Sequence, residues 1–428
     1  MNKSYISLIK INNIYLPNNL KIIKNKNIIK FSIVILIIYT FYIDKSNKNK
    51  KILNKENKSI FRVNYIDGKL YWNNETFINL TKINYETDKI KELNISFENK
   101  SDFIKREHPK ISLVITLYNQ EKYLKLFYTS IQIQELKDIE IIFVDDASND
   151  NTSLIINKLM EKDKRIIYLK NNINKRTFYS RNRGILEAKG EYILIIDPDD
   201  LLINNILIKA YETAKKYDLD IVQFYVIAGF FGSTKSKLNH YKYKSGILKN
   251  NTEIKNNFYN TISRNLWDKL VRREIYKKSI KFMREEFYNE LYILNNDDTA
   301  FFGLLHSAET FGFLEQIGYF YVYKTSEIYV FKYDPKNSNL IIRTIFNNMR
   351  YFYIQSDNTI LEKSNLAYKY FEKNIWMLDK YFPYVTEGFN FILNVLDLYL
   401  NSSFFSESDK NKLNAFRTKV INKKMNKK

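Results

Sequence analysis

From residue 111 onward the chain alternates two apolar patterns. Short continuous runs, Ile111 to Leu117, Ile139 to Val144 and Tyr192 to Ile196, are rich in Ile, Val and Leu and bounded by polar or turn-forming residues, so they read as buried strands. Between them, apolar positions recur at helical spacing: Leu124, Phe127, Tyr128 and Ile131, then Leu154, Ile155, Leu159 and Met160. Asn149 to Asn151 stand where that second helix would be capped. A strand over Arg165 to Leu169 and a helix from Phe178 to Lys189, stopped by Gly190, complete the alternation. Such repetition predicts an α/β domain with a parallel sheet, whose ligands bind beyond the carboxyl ends of the strands. Downstream, Tyr319 to Tyr323 reads as a strand, and the stripe Ile341, Ile342, Ile345 and Met349 predicts a helical appendage.

Two acidic clusters follow from that layout. Asp197-Pro198-Asp199-Asp200 leaves the end of the Tyr192 to Ile196 strand, and Asn296-Asp297-Asp298 lies about a hundred residues later. Carboxylates this close repel unless a cation joins them, and hard oxygen ligands suit Mg²⁺ or Mn²⁺, which usually also take substrate phosphates. The plainer alternatives are a solvated turn capping the next helix for the first cluster, and a helix N-terminus whose acids complement the dipole for the second. Tyr118, Asp146 and Asp199 all fall at the carboxyl ends of predicted strands, which unrelated acidic turns are not expected to do.

The ordered set of motifs resembles the family 2 glycosyltransferases of the GT-A fold. It comprises Tyr118-Asn119, Val144-Asp145-Asp146-Ala147-Ser148, Ser180-Arg181-Asn182-Arg183-Gly184, Asp197-Pro198-Asp199-Asp200, Trp267-Asp268-Lys269-Leu270-Val271-Arg272-Arg273 and Asp297-Asp298, and covers about residues 110 to 328. The resemblance implies a Rossmann-like nucleotide-binding sheet with helices on both faces. It also implies donor binding by Thr116, Tyr118, Glu121, Asp146, Arg181 and Asp197, with Mn²⁺ or Mg²⁺ on Asp199 and Asp200. Asp298 is then the catalytic base, with Asp297 its close competitor, and the outcome is inversion at the anomeric carbon. The donor implied is a nucleotide sugar, most simply a UDP-sugar, and the acceptor a glycan, protein or lipid. Thr116 stands where Pro is common, and Asp297 where Glu is usual. The Gln-x-x-Arg-Trp motif of processive synthases is absent, so single-sugar transfer is expected. Two rivals are a non-catalytic binding module and a sugar nucleotidyltransferase, although the latter normally has a Gly-rich phosphate loop where this chain has Leu117 to Glu121.

Charge changes the picture mainly at the ends. The 428 residues carry a formal +21, most of it in residues 1–60 and 410–428, so a basic nucleic-acid-binding face on the folded body is not expected. Phe31 to Ile43 is uncharged and extends to Ile28 if Lys30 snorkels, which gives a short single-pass anchor without a small-residue cleavage site. Trp267, Lys269, Arg272 and Arg273 offer either a substrate-framing group or a solvated basic face. The scattered His108, His240 and His306 have no metal-ligand spacing, and no cysteine is present. The expected organisation is a basic tail 1–30, an anchor 28–43, a stem 44–109, a nucleotide-sugar half 110–226, an acceptor-side half 227–338, a helical appendage 339–405 and a basic tail 406–428. Membrane attachment with a lumenal catalytic domain, in Golgi or ER, is the localisation this order suggests.

Overall fold

The computed structural model describes residues 63–66, 69–72, 103–203, 205–229, 236–238, 246–257, 262–283, 296–323, 337–355, 368–403 and 405–426, all within one unit, Ser59–Lys428. Strands β1 (Val63–Ile66) and β2 (Lys69–Trp72) form an antiparallel pair inside the expected stem. The predicted alternation follows: β3 (Ile111–Leu117), α1 (Leu124–Gln132), β4 (Ile139–Asp145), α2 (Thr152–Lys162), β5 (Ile166–Lys170), α3 (Arg176–Glu187) and β6 (Tyr192–Ile196). After the short β7 (Leu201–Leu202) come α4 (Ile206–Lys216), β8 (Ile221–Gly229), β9 (Ser236–Leu238), β10 (Ile247–Leu248) and α5 (Asn251–Asn257). The later elements are β11 (Lys269–Arg272), α6 (Arg273–Phe282), α7 (Asn296–Ser307) and β12 (Phe311–Val322). Among the described residues four long helices follow: α8 (Ser338–Gln355), α9 (Tyr368–Tyr381), α10 (Phe389–Leu400) and α11 (Glu407–Met425).

One sheet runs in the order β10-β12-β8-β11-β6-β3-β4-β5. Strands β3, β4, β5 and β6 are mutually parallel, whereas β11 is antiparallel to both β6 and β8. Every residue of β4 and β6 is buried, which is why these strands read as unbroken apolar runs. Successive side chains go to opposite faces. Leu113, Ile115, Ile141 and Leu194 join α1, α2 and α4 in one core; Val114, Ile142, Ile193 and Ile195 join α3 and α7 in the other. That second core continues without a break through Ile341, Ile345, Phe371, Leu396 and Phe416, so the C-terminal helices share the sheet's own core.

Two expectations change. Residues from 406 on form α11, capped by Ser406, whose Oγ accepts the Asp409 N–H, and its Leu413, Phe416 and Val420 are buried. The basic tail is a packed helix because those three positions share one face while its Lys residues point outward. Gly190 is needed for close approach rather than for a left-handed helix stop. A Cβ there would lie 2.4 Å from the Ser112 backbone N, where the Gly190 N–H donates to Ser112 Oγ (2.8 Å) and Glu140 Oε1 (3.1 Å). The anchor segment 28–43 lies outside the described residues, and no described helix is long and apolar enough to cross a membrane.

Candidate active site

The loops leaving β3 and β4 are laced together at the carboxyl edge of the sheet. Asn119, at φ 54°, donates its N–H to Ser148 Oγ (2.9 Å) and accepts the Asn149 N–H at Oδ1 (2.9 Å). The Glu121 N–H donates to Asp150 Oδ2 (3.0 Å), and Glu121 Oε2 accepts the Asn151 N–H (2.8 Å). Glu121 is thus a clasp between loops, and the cap on α2 is Asp150, which accepts the Thr152 N–H, rather than an Asn side chain. The lacing fixes the rim from which Tyr118 projects, 44% exposed.

Below that rim, Asp146 is buried. Its Oδ1 accepts from Asn171 Nδ2 (2.7 Å) and from the Lys175 N–H (2.7 Å), holding the loop that leads into α3. Burial pushes the neighbouring Asp145 carboxyl up, but hydrogen bonds from Ser148, Tyr168 and Ser153 outweigh it and hold it below its ordinary value. Thr116 lies in register with Val144 and is partly buried beside these groups.

The acidic turn divides its labour. Asp200 is buried, its Oδ2 accepting from Tyr319 Oη (2.9 Å) and its Oδ1 from the Val322 N–H (2.8 Å). Burial, then the charge of Asp197, push its carboxyl well above the ordinary range. Asp200 therefore pins the turn to β12, a placement at odds with its expected part as a metal ligand. Asp197 and Asp199 are only partly buried and remain the carboxylates toward solvent. No group of three or more His, Asp or Glu among the described residues is arranged around a metal position. An Mg²⁺-type ion that takes one or two carboxylates plus substrate phosphates does not require such a group, so Asp199 with Asp197 fits it.

The second cluster opens α7. Arg181, expected beside the nucleotide, is buried and joins this acid pair instead: its Nη1 donates to Asn296 Oδ1 (2.9 Å) and meets Asp297 Oδ1 at 3.0 Å. Asp298 is buried, and Arg264 Nη1 lies 2.9 Å from its Oδ1 and 3.0 Å from its Oδ2. Burial raises the Asp298 carboxyl to about 6, with Arg264 pulling the other way and Asp297 adding to the rise. A carboxyl tuned toward neutrality suits proton transfer, and each acid of the pair meets a guanidinium of its own, Asp298 that of Arg264 and Asp297 that of Arg181.

One segment touches both clusters. Trp267 stacks on Tyr319 (centroids 4.7 Å apart), the residue bonded to Asp200, while Arg264, three residues earlier, holds Asp298. Lys269 is fully buried against Asp268 (2.6 Å), Arg272 pairs with Asp218 and Asp220, and Arg273 with Glu274, so this basic stretch is built into the scaffold. Arg264 and Tyr319 are the site residues that sequence reasoning missed as such. A lone Arg in a loop has no periodicity to expose it, and Tyr319 reads as an ordinary strand residue.

Residues 112–279 match the model of the family described as glycosyl transferase family 2. This segment belongs to that family. Among curated relatives, the glycosyltransferase GlyG of Streptococcus pneumoniae serotype 4 is 36% identical over 136 residues, 32% of this chain and 44% of its own. The cholesterol galactosyltransferase of Borreliella burgdorferi is 31% identical over 198 residues, covering 43% of this chain and 54% of that one. A UDP-Glc:alpha-D-GlcNAc-diphosphoundecaprenol beta-1,3-glucosyltransferase, WfaP of Escherichia coli, is 38% identical over 130 residues, 29% of this chain and 51% of its own. The chain thus spans about half the length of these family 2 relatives. Its fold resembles that of Staphylococcus aureus TarS residues 1–349 in complex with UDP-GlcNAc, with a TM-score of 0.56 and 17% identity over 73% of this chain and 88% of that one.

Proposed function

We propose that the chain is a metal-dependent inverting glycosyltransferase that moves one sugar from a nucleotide-sugar donor, a UDP-sugar, to an acceptor hydroxyl. The observation that carries the reading is the pair of dissimilar acidic centres on one scaffold. One is a partly exposed turn, Asp197 and Asp199, just past the carboxyl end of β6; the other is a buried Asp298 whose carboxyl is raised to about 6. Donor binding falls to Tyr118, Thr116 and Asp146 at the rim, with Asp199 and Asp197 as ligands for Mn²⁺ or Mg²⁺. Bound there, the ion offsets charge developing on the departing diphosphate. Asp298, the member of the pair with the raised carboxyl, accepts the proton of the attacking hydroxyl. Arg181 acts through the acid pair rather than on the nucleotide. The similarity to WfaP and to the Campylobacter jejuni GalNAc(5)-diNAcBac-PP-undecaprenol beta-1,3-glucosyltransferase supports a lipid-linked acceptor.

The test is a screen of nucleotide sugars with Mn²⁺ present, scoring donor hydrolysis and transfer for the wild type and Asp298→Asn. Turnover that falls by about 10²- to 10⁴-fold in the variant, with donor affinity kept, supports the base assignment. A wild type that consumes no donor points to a non-catalytic sugar-binding module. Anchoring through residues 28–43 belongs to the same reading, and extraction of the full chain from membranes by alkaline carbonate would remove it.

A further inference from the structure

Lys269 stands in mid-sheet, where an ammonium is costly. It opens β11, in register with Gln223 of β8, and is fully buried. A buried ammonium needs partners for its protons, and an apolar side chain of similar size would pack such a strand as well. Its partners lie in the loop just before it. Nζ donates to the Asn265 carbonyl (2.6 Å) and to Asp268 Oδ1 (2.6 Å). It also lies 4.9 Å from the ring centroid of Phe301, three residues beyond Asp298 on α7.

The same loop is tied at its other end. The Ser263 N–H donates to Gln223 Oε1 (3.2 Å), and Ser263 Oγ accepts the Asn265 N–H (3.1 Å). Residues 262–268 form neither helix nor strand, so these contacts hold backbone that no ladder holds. Between the ties stand the two side chains that reach the acidic centres. Arg264 Nη1 meets Asp298 at 2.9 Å, and Trp267 stacks on Tyr319 (4.7 Å), whose Oη donates to Asp200 (2.9 Å). A shift of the loop by about 1 Å would loosen both contacts together.

We propose that Lys269, with Ser263, is a positioning residue for both acidic centres, fixing the 263–268 loop so that Arg264 meets Asp298 and Trp267 backs the Asp200 turn. The consequence for proton transfer rests on the reading of Asp298 as the base; the consequence for the loop does not.

The test uses the full chain carrying Asp268→Asn and Lys269→Met together, a pair that removes one charge of each sign and leaves no buried ion unpaired. Asp298 also feels the charges of Asp297 on its own helix and of Lys373 on α9, and neither is altered. With Arg264 displaced, the ionised Asp298 carboxylate loses its partner. Asp298→Asn should therefore raise the unfolding constant's resistance to urea more in the pair variant than in the wild type at pH 7.5, by about threefold or more in that constant. At pH 4, where the carboxyl is protonated in the folded protein, the two gains should agree. A role in packing alone would not produce that pH dependence. In chains also carrying Trp72→Phe and Trp376→Phe, Trp267 is the sole tryptophan, and acrylamide should quench it more strongly in the pair variant. Asp268→Asn alone, which keeps the bond from Lys269 to Asn265, should leave Trp267 protected. Ser263→Ala, which cuts the other tie and changes no charge, should move both readouts in the same direction and decides the matter if the pair variant does not fold. Equal gains from Asp298→Asn at pH 7.5, or Trp267 equally protected in all variants, overturns the proposal. Full turnover in Asp298→Asn would instead remove the base reading and leave the positioning of Arg264 and Trp267 to these two readouts.

Discussion

Replacing Asp298 by Asn should stabilise the folded protein above pH 6 while removing its turnover. Burial is the main reason the carboxyl rises from an ordinary 3.8 to about 6, and a rise of roughly two pH units corresponds to about 3 kcal/mol against the charged form. In the unfolded chain the group ionises near 3.8, whereas the folded protein keeps its proton until about 6. Between those values the native state binds more protons, so stability falls as pH rises across the window and the full cost is present above it. Asn carries no charge at any pH and still offers an oxygen to Arg264. At pH 7.5 the variant should therefore be more stable by about 1 to 3 kcal/mol, the lower figure allowing for a weaker contact with a partly exposed Arg264. At pH 4 the gain should shrink below about 1 kcal/mol. Urea denaturation of both proteins at pH 4, 6 and 7.5, followed by tryptophan fluorescence, measures this. A variant less stable than the wild type at pH 7.5, or a gain independent of pH, would refute the account of the Asp298 environment.

Three other outcomes are expected. Asp199→Asn should weaken Mn²⁺-dependent UDP-sugar binding while leaving the urea midpoint unchanged; equal donor affinity with and without EDTA in the wild type contradicts the metal assignment. Tyr319→Phe should cost about 1 to 3 kcal/mol, because it removes a hydrogen bond from the buried Asp200 carboxyl, and a midpoint at the wild-type value would show that the turn does not need this tie. Gly190→Ala should destabilise by more than about 2 kcal/mol, since its methyl would meet the Ser112 backbone at 2.4 Å, and the check is again the urea midpoint.

The parallel strands from 111 to 196 were legible because a strand covered on both faces has few polar positions to interrupt it, as in Tyr192 to Ile196. The acidic clusters were legible as sequence features, but the burial and contacts of their members were not. Asp199 and Asp200 are adjacent and identical in type, and only the Tyr319 and Val322 contacts show which one faces inward. Arg181 illustrates the same limit: its motif marked it as a site residue, while its partner lies 116 positions later at Asp297. Helix α11 was hidden by composition. Leu413, Phe416 and Val420 keep helical spacing, but Lys residues dominate the stretch around them.

The antiparallel strand β11 has a consequence for the order in which a ribosome could deliver this sheet. Strands β3 to β6 are neighbours in sequence and have paired with one another by residue 196, leaving only the edge of β6 toward β11 and the outer edge of β5. Strand β8 is different: β9 covers only its end, Ile227 to Gly229, and its other partners, β11 and β12, begin at residues 269 and 311. A nascent chain emerging N-terminus first would therefore hold most of this nine-residue, almost wholly apolar strand open while the next forty residues are translated. Truncations ending between 239 and 268 would leave Ile221 to Val226 of that strand unpaired, and such fragments are expected to aggregate rather than to persist as a smaller α/β domain.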